Sequence, residues 1–443
     1  MVLKVLQRRN TMPTNNTKTT ITMTIILIIT ALFMATSCKE CPNEPEPEVG
    51  TVTLYTEYIA TKSVYLKITV SDSLEATDIR IERDTTIILE TTLFSFDTLI
   101  IDEYLEPGKT YNYTGYLIEN GRVIYSGDIL TVTTMDTTEH DIFTWTSDTL
   151  GISGEINDVW IVDEDNIWIV GNIETDSGTF NAARWDGDRW NMMQIHNLAP
   201  LYSIWYFDDN NVWVCSGFPK HWDGYEWTMY HLQNMGLDVS VEHIWASSPS
   251  DIYFVGYEGS IVHYDGSTFR KMTSGTTCKL DDVYGIDENT IWAVGSAVGE
   301  FQSVILFYDG TKWITLHDTG YMGHGYWTNS VWTDSPYFLF LNGGSGRIFY
   351  NLVRDELYKD MTAGNWYGYD IDGLEVNDIF ATGMGSEVLH YNGSTWHLYT
   401  DFKDRFDDYS HFRSVKMNSD FIVIGGFYYT GISGLPIVIR GYR

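Results

Sequence analysis

The sequence predicts an all-β chain in two parts, and three observations carry that prediction. Through residues 50–135 apolar and polar positions alternate, as in Val64, Leu66, Ile68 and Val70, which is the pattern of half-buried strands. From Trp160 onward an apolar–aromatic pair returns at intervals of roughly 39 to 48 residues, its aromatic falling at Trp160, Trp205, Trp245, Tyr284 and Trp332. All 16 tryptophans lie at or beyond Trp145, so the composition breaks near residue 140. With 15% aromatic and only 20% charged residues, most of the chain can bury a core.

The N-terminus reads as a targeting segment. Lys4, Arg8, Arg9 and Lys18 precede an apolar run from Ile25 to Met34. At about ten residues that run is too short to span a bilayer and suits a signal-peptide core. Ala35-Thr36-Ser37-Cys38 resembles the lipobox of bacterial lipoproteins, although Ala35 stands where leucine is commonest. The resemblance implies a signal peptide over 1–37 and a lipidated Cys38 that anchors the protein to a membrane. Residues 38–49, with Glu44-Pro45-Glu46-Pro47-Glu48, then form an extended tether. Lys39-Glu40 after that cysteine resembles the surface-export signal of Bacteroidetes lipoproteins, which implies an outer-membrane protein facing the cell exterior. Cys41 interrupts the acidic pair. Cys215 and Cys278 are expected to be small buried apolar residues.

Residues 50–135 carry several short strands separated by turns at Ser71-Asp72-Ser73, Pro107-Gly108 and Glu119-Asn120-Gly121, the makings of a small β-sandwich. Leu105-Glu106-Pro107-Gly108-Lys109-Thr110-Tyr111, followed by Tyr113, Gly115, Leu117 and Ile129-Leu130-Thr131-Val132, resembles the second half of a fibronectin type III domain. That family has a corner tyrosine, matched by Tyr111, and a tryptophan on its second strand, for which Leu66 or Ile68 substitutes here. The resemblance implies a spacer.

Residues 140–443 hold seven repeat units. Each has an apolar strand ending in the aromatic, a turn such as Asp163-Glu164-Asp165-Asn166, and a second strand closed by glycine. A third strand then leads through Asp-Gly, a hairpin signal, to a fourth beginning at Trp190, Trp227, Phe269, Trp313 or Trp396. Four antiparallel strands at this period make one blade of a β-propeller. The last unit, ending at Ile437–Tyr442, has only three strands, while Thr144–Leu150 is an orphan fourth. The orphan is expected to complete the seventh blade and close the ring. The phrase is similar to repeats of bacterial β-propellers in surface and secreted proteins, which implies a fold and little about activity.

One propeller face carries short, uniform turns. The other carries links that differ from blade to blade, and variable loops on a rigid scaffold are where binding concentrates. The candidate ligand-binding residues there are Tyr321, His324, Tyr326, Trp327, Trp366, Tyr367, Tyr409, His411 and Tyr428, whose aromatic surface suits a glycan or a surface protein. Trp160, Trp168, Trp205 and Trp213 recur in register and are expected to be blade core. A net charge of −33 argues against nucleic acid. No spaced oxygen set suggests a metal, no motif suggests a cofactor, and no catalytic constellation is legible. The leading expectation is a non-catalytic binding module. The alternatives are a glycan-cleaving propeller and a structural subunit of an outer-membrane complex.

Overall fold

The structure is a computed structural model that describes residues 50–443 apart from 72–76, 94–96, 141, 197, 298–301, 320–327, 345 and 361–366. The signal peptide, Cys38 and its tether lie outside the described residues. So do five of the candidate ligand-binding residues: Tyr321, His324, Tyr326, Trp327 and Trp366. The chain divides into two compact units. Of the described residues, the first takes in 50–56, Leu66–Ile100 and Tyr111–Val132; the second is Thr133–Arg443 with Glu57–Tyr65 and Ile101–Thr110.

In the N-terminal stretch, Val52–Ile59, Ser63–Val70 and Asp97–Glu103 form one sheet in that order. A larger sheet runs Thr86–Leu93, Thr77–Arg83, Thr110–Glu119 and Arg122–Ser126, with Leu130–Thr133 also paired to Thr110–Glu119. The alternating residues are the buried ones: Leu66, Ile68, Ile79, Ile81, Tyr113 and Leu117 are all withdrawn from solvent. The two sheets come into contact at Gly115, where an added Cβ would lie 3.0 Å from the Val52 side chain. Tyr111 is buried, with the Arg83 guanidinium 5.4 Å above its ring.

Among the described residues of the second unit, seven four-stranded antiparallel sheets follow one another in chain order. The innermost strands are Ser153–Asp163, Ser203–Asp208, Val241–Ser248, Lys279–Asp287, Thr328–Trp332, Gly368–Glu375 and His411–Asn418; we number the blades 1 to 7 by these strands. Blade 7 contains His411–Asn418, Phe421–Tyr429 and Gly434–Tyr442, and its fourth strand is Thr144–Thr149, paired from Ile437↔Thr149 to Tyr442↔Thr144. The expected ring closure is therefore present.

The second-strand aromatics make the blade cores. Trp168, Trp213, Tyr253, Trp292, Phe340 and Phe380 occupy one register and are all buried. Cys215 and Cys278 are buried and neither forms a disulfide. Trp160 and Trp205 differ from the expectation. They are half-buried: each packs against a blade core and also lines the space at the ring axis.

The Asp-Gly signal also works differently from a two-residue hairpin. In blade 1 the link between the third and fourth strands is the four-residue loop 186–189. There Asp186 Oδ1 accepts the amides of Asp188 and Arg189 at 3.1 and 2.9 Å, and Gly187 takes φ 88°. Asp223, Asp265 and Asp309 accept the corresponding amides in blades 2 to 4. Recurring acid on this face is turn chemistry.

Candidate functional site at the propeller axis

A break in the first strand sets up the site. In six blades the register of the first strand shifts by one residue near its start, as between Ile156 and Asp158 or Leu280 and Asp282. The opposing residue on the second strand is the recurring glycine. At Gly295 a Cβ would lie 1.9 Å from the Lys279 carbonyl oxygen, so only glycine admits the bulge. Bulges re-aim the side chains that follow them. The residues after the shift, with Ser203 in the same register of blade 2, form one belt around the axis: Asp158, Ser203, His243, Asp282, Ser330, Asp370 and Ser414.

The belt ties neighbouring blades together. Asp158 accepts the Ile204 amide of blade 2 at 2.9 Å and the Ser414 hydroxyl of blade 7 at 2.9 Å. Asp282 accepts the Val331 amide at 3.0 Å, and Asp370 the Val415 amide at 2.9 Å. Ser330 Oγ lies 2.9 Å from Asp282 and 2.8 Å from Asp370. One hydroxyl proton cannot serve both carboxylates, so the second contact calls for a proton on an aspartate. Burial, reinforced by the nearby Asp370 charge, pushes the Asp282 carboxyl up to about 7, which supplies it. Burial, with Lys279 and Lys416 adding to it, holds the His243 imidazole down near 3, so it is neutral at physiological pH.

Two residues further along each first strand is the position of the repeat's aromatic. Blades 1 to 5 present Trp160, Trp205, Trp245, Tyr284 and Trp332 there; blades 6 and 7 present Asp372 and Lys416 in the same register. Trp332 is fully buried, and Gly373 beside it leaves room for its ring. The other four aromatics line an axial cavity of about 220 Å³ together with Asp158, His243, Asp282, Asp370, Asp372 and Lys416. Trp160 and Trp205 have ring centroids 4.7 Å apart. The Lys416 ammonium is 3.9 Å from Asp372. Asp372, Asp370, Asp158 and Asp282 outweigh its burial and hold it charged. Burial, opposed by Lys416, lifts the Asp372 carboxyl to about 6.

The first strands begin at the variable-loop face, so Asn157, Asn329, Tyr369 and Arg413 rim the cavity at that end. Arg413 pairs with Glu155 at 3.1 Å and lies 4.4 Å over the Tyr369 ring. The Tyr369 hydroxyl is 3.1 Å from His411 Nδ1, and Tyr367 donates to Asn329 Oδ1 at 2.9 Å. Two of the sequence-selected residues, Tyr367 and His411, therefore meet at this rim. Burial, with Arg413 adding to it, lowers the His411 imidazole to about 4. Tyr409 is 70% exposed, its ring 5.5 Å from Tyr429. Tyr428 is half-buried and packs against the blade 7 core, edge-on to Phe406 at 5.4 Å. Its strand carries it inward because Phe406, just beyond the short helix Thr400–Arg405, packs over it.

Sequence reading missed Asn329, Tyr369, Arg413, Asp372 and Lys416. The signal for the last two was present: aligning all seven units shows a carboxylate and an ammonium where the other five have aromatics. Among the described residues no group of three or more His, Cys, Asp or Glu is arranged to hold a metal ion, and no helix is long and apolar enough to cross a membrane.

The ring and its closure define a seven-bladed β-propeller, and solved propellers share its shape. YCF48 bound to a D1 peptide is 17% identical, covering 69% of this chain and 99% of that one with a TM-score of 0.51. YCF48 from Cyanidioschyzon merolae is 13% identical, over 68% and 98% of the two chains, with a TM-score of 0.51. The WD40 propeller domain of Doa1 is 11% identical, over 67% and 95%, with a TM-score of 0.50. No family model and no curated protein matches the sequence.

Proposed function

We propose that this chain is a lipid-anchored surface protein whose propeller binds a ligand, with no catalytic step, through its variable-loop face. The observation that carries the reading is the meeting of Tyr367 and His411 with Asn329, Tyr369 and Arg413 at that end of the axial cavity. Such a cluster of aromatic and hydrogen-bonding side chains on a rigid frame suits a glycan. The lipobox resemblance at Cys38 supports attachment to the outer membrane. The sheet order of the N-terminal stretch and the buried Tyr111 support a fibronectin type III-like spacer over 50–135, ahead of the propeller at 140–443.

A second reading is a peptide or protein ligand, favoured by the fact that one structural neighbour is described as bound to a peptide. Glycan-array binding and pull-down from outer membranes with the full chain separate the two. Tyr409→Ala and His411→Ala should abolish whichever signal appears without lowering the melting temperature. Retention of the signal in both variants moves the site off this face, and product release from a bound glycan replaces binding with hydrolysis.

A further inference from the structure

The repeat places an aromatic at the inner position of five blades, and only blades 6 and 7 depart from it, with Asp372 and Lys416. In a seven-membered ring those adjacent blades stand across the axis from blade 3, with blades 2 and 4 to either side of it. Around the cavity Trp160, Trp205, Trp245 and Tyr284 follow one another on blades 1 to 4 and Asp372 and Lys416 on blades 6 and 7, so that Lys416 is carried by the blade next to that of Trp160 and across the axis from Trp245. Packing alone does not need this. Trp332 shows that the same register can be filled by a fully buried indole.

Three features specify what fits. Trp160 and Trp205 leave ring surface open to the cavity, and flat aromatic surface accepts the C–H face of a sugar ring. Lys416 is enclosed by the ring and lines the cavity, yet among the described residues its ammonium makes no hydrogen bond; the Asp372 carboxylate oxygen it pairs with is 3.9 Å away. A lysine ammonium carries three donors, so the cavity offers an unused donor beside carboxylate acceptors. Finally, the charges are mixed. Lys416 and Arg413 face the same space as Asp158, Asp282, Asp370 and Asp372. A ligand of either net charge would meet repulsion from one set, whereas a neutral polyol can donate to the carboxylates and accept from the cations.

We propose that the axial cavity binds one uncharged sugar ring, the end of a glycan chain, stacked on Trp160 and Trp205 with its hydroxyls shared between Lys416 and Asp372. The cavity, about 220 Å³, is smaller than the roughly 300–1,000 Å³ of pockets that take drug-sized ligands, which suits a single ring. The inference rests on the variable-loop face being the ligand-binding one, because Asn157, Asn329, Tyr369 and Arg413 rim the cavity there.

The test is titration of the purified full chain with free monosaccharides, read by intrinsic tryptophan fluorescence and calorimetry. The panel covers neutral hexoses, pentoses, 6-deoxyhexoses and N-acetylhexosamines, with glucuronate and glucosamine as charged controls. Saturable binding of at least one neutral sugar is expected, with both charged controls weaker. Lys416→Gln and Trp160→Phe should each weaken it about tenfold or more, thermal melts verifying that both variants fold. Silence across the panel up to tens of millimolar, or tighter binding of a charged sugar, overturns the inference. If the array or pull-down still gives a signal sensitive to Tyr409→Ala, only the cavity assignment falls. If those are silent too, the binding function falls with it.

Discussion

Asp148 of the first-encountered strand receives a hydrogen bond from Arg440 of the last at 2.7 Å and another from the Trp190 indole of blade 1 at 3.0 Å. The Arg440 guanidinium in turn lies 4.1 Å over the Trp185 ring of blade 1. One carboxylate therefore joins the closing strand, the strand it completes and the next blade. Closure by a strand from the far end of the sequence is a long-range contact. Its loop-closure cost grows only slowly with the length of the intervening chain, and these side-chain anchors add to the ladder that offsets it.

Asp148→Ala should destabilise the propeller by about 2 kcal/mol, the loss of a charged hydrogen bond to a largely buried guanidinium. Chemical denaturation checks this, with an unchanged midpoint as the contrary result. Deleting residues 141–150 removes the whole fourth strand of blade 7 and exposes the edge of Gly434–Tyr442. The melting temperature should fall and aggregation increase.

Gly285 sits against the Trp245 ring of the preceding blade; a Cβ there would come 2.5 Å from the indole. Gly285→Ala should cost about 1–3 kcal/mol through overpacking. The same change at Gly121, where no atom lies within 4 Å of the added Cβ but φ is 76°, isolates backbone strain from crowding. A cost at Gly285 no larger than at Gly121 would rule out the indole contact as the cause.

Two belt residues give opposite pH dependences. The native Asp282 carboxyl titrates at about 7, against an ordinary value of 3.8. Between those values the native state keeps a proton that the unfolded chain has released, so stability falls as pH rises through about 4 to 7. For His243 the native value is about 3 against 6.5. Between them the unfolded chain binds a proton the native state refuses, so stability falls as pH drops below about 6.5. Asp282→Asn should therefore flatten the loss toward neutral pH, and His243→Asn the loss on acidification. Urea midpoints of each variant, measured from pH 4 to 8 against the parent, check both signs; parallel curves would refute them.

Lys416→Met leaves the axial carboxylates without their central cation and should cost about 3–5 kcal/mol at neutral pH, as for a broken buried pair. Acidification protonates those carboxylates and should recover part of the loss. Lys416→Met combined with Asp372→Asn keeps an acceptor for the Met417 amide while removing one charge, and should be more stable than the single variant. Equal midpoints for the two would show that Asp372 is not the charge Lys416 balances.

The repeat was legible in the sequence because each of its parts answers a local demand. The Val159 and Trp168 positions recur because the blades share a core pattern, and Asp186-Gly187 because the outer loops of blades 1 to 4 use the same acceptor and the same positive φ. Even the ring closure could be read, from one strand missing at the end and one spare at Thr144–Thr149. The site was only half legible. Tyr367 and His411 stood out as aromatic and imidazole groups in unequal loops, but Tyr428 carries the same signal and leans on the blade 7 core. Spacing along the chain does not say which side of a loop faces solvent.

What the sequence by itself determined is the blade: strand count, turn chemistry, the buried aromatic of the second strand. Those depend on residues within one unit. What the tertiary structure decided is the axis. Asp158, Asp282 and Asp370 look alike in their units, as do Trp160 and Trp332. Only when seven first strands converge do the aspartates form a belt with Ser330 and Ser414, and only then does Lys416 stand beside Asp372 in one cavity with Trp160, Trp205 and Trp245. A cavity whose walls come from all seven blades has no local signature, because its chemistry exists only where residues hundreds of positions apart meet.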